Sequence, residues 1–96
     1  GWGAVSPGAA PEAEERELGL ATACQLLATE QGLTPRETEV LEFIVRGYSR
    51  KAIADELSLA EETIKTHTGR IYQKFLVHSK QELIDLATKR AQTLNA

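Results

Sequence analysis

One cysteine, Cys24, stands in the whole sequence, so no disulfide can close within the chain, and a reducing compartment suits it. No apolar run approaches the ~18 residues a membrane-spanning helix needs. The first residues lack the charged and apolar regions of a secretory leader. No segment alternates with the period of a strand, and no long repeat recurs. A glycine-rich phosphate loop and a paired-carboxylate constellation are missing as well, which leaves catalysis, a small-molecule substrate and a cofactor unsupported. His67, His78 and Cys24 are spaced as no zinc site is, so no metal is expected. Ser49 and Ser79 sit where helix caps are needed and have no base beside them, which argues against nucleophilic roles. With 96 residues and 42% hydrophobic content, the chain suits one small domain with a modest core rather than a buried cavity.

What the chain has is an uneven charge distribution. Its net charge of −3 argues, at face value, against a nucleic-acid partner. Residues 1–32, however, hold one base, Arg16, against five acids, and residues 33–96 hold ten bases against nine acids. The run from Lys65 to Lys74 carries Lys65, Arg70 and Lys74 and no acid at all. Local field rather than net charge decides what a surface attracts.

The sequence predicts an all-α fold: a four-helix helix-turn-helix domain with an additional N-terminal linker helix. Residues 1–11 show no periodicity and read as a flexible linker, residues 12–31 as the linker helix, and residues 32–96 as the domain. Pro11 ahead of Glu12, Glu14 and Glu15 marks a helix start, and Ala13, Leu20, Ala23, Cys24 and Leu27 share a face that ends near Gly32. Thr34, Pro35 and Glu37 supply a cap, a first-turn proline and a capping-box partner for the next helix. In that helix Glu37, Leu41, Ile44 and Val45 face one way, with Val40 at their flank. Phe43 points elsewhere, which calls for a second cover, with the Leu20 to Leu27 stripe as the candidate. Gly47 ends this helix, and Ser49 caps a short one over residues 50–57. Ser58, Leu59 and Ala60 then turn into a helix over residues 61–75, and Ser79 with Glu82 starts a last one by a second capping box. That last helix places Leu83, Leu86, Ala87, Arg90 and Leu94 on its inner face.

The helix over 61–75 organises the rest. Ile64, Thr68, Ile71 and Phe75 form a narrow stripe on a 3.6-residue period, and Glu62, Lys65, Thr66, Gly69 and Gln73 fall opposite. One side packs and the other is left to be read from. Lys65 and Thr66 lie in the first half of the outward face, where a recognition helix meets base edges. There a lysine can donate to guanine and a threonine methyl can touch thymine. Thr63, His67, Arg70 and Lys74 lie at its flanks, within reach of phosphates, and Lys51 near the start of the short helix should do the same, aided by that helix's amides.

Leu33-Thr34-Pro35-Arg36-Glu37, Val40-Leu41, Gly47, Ser49, Lys51, Ile53-Ala54, Leu57, Thr63-Ile64-Lys65, His67, Ile71, Lys74 and Val77 together resemble the DNA-binding domain of LuxR-type (GerE-like) transcriptional regulators. The resemblance runs without a gap over about residues 33–90. It implies a helix-turn-helix made by the domain's second and third helices, binding double-stranded DNA, and a fourth helix that pairs two subunits. It also implies an upstream sensory domain absent from this chain, and a cytoplasmic protein whose full-length form has room for a membrane anchor in an upstream region. Three positions depart from the family. Ala60 stands where a serine often caps the third helix, Ala52 where an acid is common, and Gly69 where many members extend a longer side chain toward the bases. Gly69 therefore either removes a base contact or lets the backbone approach the groove.

On the last helix Gln81, Ile84, Asp85 and Thr88 form a second face, the expected dimer interface. Only Ile84 there is large and apolar, and Asp85 would meet its own copy, so a weak homodimer assembled on two DNA half-sites is expected. Two other readings stay open: a sigma-factor-like helix-turn-helix, and a helical protein-interaction module that uses the Ile84 face without DNA.

Overall fold

The computed structural model describes residues 9–94, and within them the chain is all-α, with five helices and no strand. These are α1 (Ala9–Gln31), α2 (Pro35–Val45), α3 (Arg50–Leu57), α4 (Glu61–Phe75) and α5 (Lys80–Leu94). Of the expected linker, residues 1–8 lie outside the described residues. The first helix begins at Ala9, two residues before the proline expected to open it. Alanine is the strongest helix former, and a proline in the first turn gives up an N–H that has no intrahelical partner there anyway. Among the described residues no helix is long and apolar enough to cross a membrane.

The helix starts follow local chemistry. Thr34 Oγ1 accepts from Glu37 N–H at 3.1 Å, while Thr34 N–H donates back to Glu37 Oε1 at 3.0 Å, closing the capping box at α2. Ser49 Oγ accepts from Ala52 N–H at 3.1 Å to start α3. Ser79 and Glu82 exchange the same pair of bonds ahead of α5, at 3.2 and 3.0 Å. At α4 the capping residue is Ala60, and no side chain bonds the free amides of the first turn.

The first four helices stop by one device. A left-handed residue follows each helix end, directly after α1, α3 and α4 and one residue later after α2, and the N–H next to it reaches back five residues. Those bonds run from Leu33 to Ala28 O at 2.9 Å, Tyr48 to Phe43 O at 3.1 Å, Leu59 to Ala54 O at 2.9 Å and Val77 to Tyr72 O at 3.0 Å. Gly32 and Gly47 supply the left-handed residue in two cases, as their lack of a Cβ favours. Ser58 and Leu76 supply it in the others, at φ 55° and 58°. The residues that donate these bonds, Leu33, Tyr48, Leu59 and Val77, all pack against the core, so each stop is anchored by apolar burial.

A single core joins all five helices. Val40, Leu41, Ile44 and Val45 of α2 meet Ile53 and Ala54 of α3, Ile64, Ile71 and Phe75 of α4, and Leu83 and Ala87 of α5. Burying each large side chain contributes on the order of 1.5–3 kcal/mol. The first helix packs chiefly on α5 and next on α2, and buries Ala23, Cys24, Leu27 and Ala28. It therefore covers a second side of α2, as expected, with Gln25 Nε2 donating to Glu42 Oε2 at 2.6 Å. Phe43 finds a different neighbour in the Tyr48 ring, centroid to centroid 4.8 Å. On α5 the inner line is Leu83, Ala87 and Ala91, four residues apart. Arg90 and Leu94, both expected inside, are not in it: Arg90 turns to an ion pair with Glu30 of α1, and Leu94 stays exposed.

Ala60→Ser should raise the unfolding free energy by about 0.5–2 kcal/mol, since a hydroxyl there can accept from a free first-turn amide. Urea melts of the two proteins measure it; equal midpoints would show that this amide is already satisfied in solution.

Candidate nucleic-acid interface

The core grips α4 by Ile64, Ile71 and Phe75, with Thr68 half-buried between them. This fixes which residues face out: Glu62, Lys65, Thr66, Gly69, Arg70 and Gln73 are all exposed. The Thr66 hydroxyl donates to Glu62 O at 3.1 Å, one turn back. Its proton is thus committed to the helix, and the methyl remains as the apolar tip. A Cβ built on Gly69 would meet nothing within 4 Å. The fold has no need of glycine there, and a glycine inside a helix costs about 1 kcal/mol relative to alanine.

On one edge of this face stand Thr63 and His67, both half-buried, and Arg70, exposed. His67 Nδ1 is buried without a hydrogen-bond partner, so only the ring's other edge can serve an outside ligand. Lys51 is exposed in the first turn of α3. Among the described residues ion pairs form at Arg36–Glu39, Lys74–Glu37 and Arg90–Glu30 alone, so Lys51, Lys65 and Arg70 carry no carboxylate partner.

Lys74, expected at a phosphate, is half-buried and has partners within the fold. Its ammonium turns inward, 2.7 Å from Glu37 Oε1 and 3.1 Å from Gly32 O. The reason lies in Glu37, whose side chain is almost wholly buried on the apolar stripe of α2 and needs a cation. Burial alone would raise the Glu37 pKa. Hydrogen bonds from Lys74 and the Thr34 N–H, with the charges of Lys74 and Arg70, outweigh that and hold it below the ordinary glutamate value. Sequence reasoning placed Glu37 correctly as a capping residue and missed the pair; the signal was an acid on a core-facing stripe.

Two further cations and a phenol near α4 were also missed. Arg50, Tyr72 and Lys80 line one cleft beside the outward face, brought there from α3, α4 and α5. Spacing along the chain gives no sign of this convergence. On α5, Gln81, Asp85 and Thr88 are exposed and Ile84 is half-buried, with Gln81 Nε2 donating to Asp85 Oδ1 at 2.9 Å. Cys24 is fully buried, and burial, followed by the Glu42 charge, pushes its thiol up to about 12. It stays protonated and unreactive at neutral pH. Among the described residues no three His, Cys, Asp or Glu side chains gather as a metal site.

Residues 31–87 match the family model described as bacterial regulatory proteins, luxR family. The HTH-type transcriptional regulator MalT of Yersinia pestis (strain Pestoides F) is 45% identical over 62 residues, 65% of this chain and 7% of that protein. The Fimbriae Z protein of Escherichia coli (strain K12) is 46% identical over 55 residues, 57% of this chain and 26% of that protein. The chain thus spans a small part of the relatives it matches. No solved structure matches it.

The Glu37–Lys74 pair makes stability depend on pH with a definite sign. A carboxylate whose pKa is depressed by folding contributes fully above its unfolded value, about 4.3, and loses that contribution as pH falls through the folded value. Glu37→Gln should therefore lose less stability than the wild type between pH 5 and pH 3. Lys74→Met should be the more damaging change at pH 7, by about 2–4 kcal/mol, because it leaves a buried carboxylate unpaired. Urea unfolding across pH measures both, and parallel acid limbs for wild type and Glu37→Gln would remove the pair from the account.

Proposed function

The chain belongs to the LuxR family of bacterial regulatory proteins, and from that premise we propose that it is the sequence-specific, double-stranded-DNA-binding output part of a transcriptional regulator. One observation carries the reading: an exposed face of α4 from Lys65 onward that bears Lys65 and Arg70 without ion-pair partners and no acid, set against a core-gripped opposite face, in a chain that is acidic overall. In this reading α4 enters the major groove, and α3 precedes it across the backbone. Lys65 donates to a purine edge, the Thr66 methyl meets a thymine, and Gly69 lets the helix backbone approach the bases. Lys51, Thr63, His67 and Arg70 hold phosphates and set the register. Lys74, committed to Glu37, stabilises the helix instead.

Residues 32–96 form the DNA-binding domain, and α1 connects it to a sensory part upstream. A cytoplasmic location follows from the target. Two copies bind two half-sites, with Gln81, Ile84, Asp85 and Thr88 of each α5 facing the other. A single half-buried isoleucine offers little area, and a stable interface needs roughly 1,000 Å², so the free protein is a monomer or weak dimer that DNA assembles.

Lys65→Ala should relax base preference at one position, worth about 1–3 kcal/mol, while Arg70→Ala should weaken all sequences alike and lower the salt slope by about one. Selection from a randomised duplex library, with salt titrations of the winners, distinguishes the two; unchanged discrimination in Lys65→Ala would refute its assignment. Ile84→Glu should abolish cooperative binding to a two-half-site duplex and leave single-site affinity and helix content nearly intact. A tight dimer in sedimentation without DNA would place the interface elsewhere.

A further inference from the structure

The cleft beside α4 holds an arrangement that the base-reading face does not account for. It encloses about 170 Å³, and Arg50, Lys80, Tyr72, Thr68 and Tyr48 stand around it. Ile44 and Ile53 complete the lining, and no carboxylate is part of it. The Lys80 ammonium donates to Tyr48 O at 3.0 Å, which fixes its position and leaves two of its three protons unused by that bond. Arg50 has no ion-pair partner among the described residues. Burial raises the Tyr72 pKa, with the Arg50 charge opposing, so the phenol is protonated and able to donate at neutral pH.

Two cations, Arg50 and Lys80, and three hydroxyl side chains, Tyr48, Thr68 and Tyr72, thus line one small cleft, a donor set suited to an oxyanion rather than to a base edge. Its place on α4 narrows the ligand. Lys65, Thr68 and Tyr72 lie along one edge of the helix at spacings of three and four residues, and Thr63, His67 and Arg70 lie along the other. A helix in the major groove has a phosphate backbone beside each edge, because the groove is only about 12 Å wide. The Arg70 edge already has its phosphate donors. The Lys65 edge has none on α4 itself apart from the Tyr72 and Thr68 hydroxyls.

We propose that the Arg50–Tyr72–Lys80 cleft seats one phosphate group, the backbone phosphate of bound DNA on the Lys65 edge of α4. This rests on the reading of α4 as the groove helix. With both edges held, the insertion angle of α4 is set from two sides, and Lys65 is aimed at the base edges between them.

Binding of a mixed-sequence duplex across a salt series, with the intact chain, tests it. Arg50→Gln should lower the slope of log affinity against log salt by about one and weaken binding several-fold near 0.1 M salt. Tyr72→Phe should weaken binding with the slope unchanged, since it removes a neutral donor. Lys89→Gln, the loss of a distant exposed cation on α5, should change neither; circular dichroism melts check that each variant folds. If wild type binds with a steep slope and Arg50→Gln behaves like Lys89→Gln, the cleft is overturned while the DNA reading stands. If wild type shows no salt-dependent binding, the DNA source is overturned. Inorganic phosphate titrated into ¹⁵N-labelled protein then decides the cleft chemistry. Saturable shifts at the Thr68 and Tyr72 amides, lost in Arg50→Gln, support an oxyanion subsite for another phosphate source; no shifts overturn it.

Discussion

The buried carboxylate of Glu37 is the constraint on which the rest of the arrangement depends. Its Oε1 accepts both the Thr34 N–H at the start of α2 and the Lys74 ammonium from the last turn of α4. Lys74 also donates to Gly32 O, just past the end of α1. Three helix termini therefore meet at one ion pair. A cation suits the last turn of a helix, where the carbonyl ends carry partial negative charge, so Lys74 is favourable on its own helix as well. Taking these charges from water is costly, and such a pair adds less to net stability than to the definition of geometry. Here it ties the C-terminal end of α4 to α2, while Ile64 holds the other half in the core and leaves Lys65 and Thr66 on its exposed side.

Charge segregation follows from the same economy of positions. The acids of α1 sit on the first helix, which packs on α5 and α2 rather than on α4. The exposed side of α4 keeps Lys65 and Arg70 free of carboxylate partners. A nucleic-acid surface can thus exist in a chain of net charge −3, because screening limits the reach of the distant acids to about 10 Å at ordinary ionic strength.

Much of the fold was legible because it is written in local chemistry. Thr34-Pro35-Glu37, Ser49 and the Ser79–Glu82 box each announce a helix start by the bond they make. Gly32 and Gly47 announce two stops. Ser58 and Leu76 do not, since neither type prefers a left-handed backbone; there the burial of Leu59 and Val77 holds the conformation against a strain of roughly 1–2 kcal/mol. The inner face of α5 was partly misread for a similar reason: Ala91 packs and Arg90 leaves for Glu30, a choice made by α1 and invisible in α5 alone. At the site, the outward side of α4 was readable from periodicity. The inward turn of Lys74 and the Arg50–Tyr72–Lys80 cleft were not, because both depend on partners at least eight residues away, brought close only by packing.

The central claim is that DNA meets the outward side of α4 and that Lys74 stays with Glu37 when it does. Amide and side-chain ammonium shifts of ¹⁵N-labelled protein, followed as a mixed-sequence duplex is added at low salt, test both parts in one titration. The expected result is a footprint on Lys65, Thr66, Gly69, Arg70 and Gln73, with the Lys74 ammonium signal and the amides of α1 unmoved. A footprint centred on α1 or on the Ile84 side of α5, or a Lys74 ammonium that shifts with the bases, would contradict it.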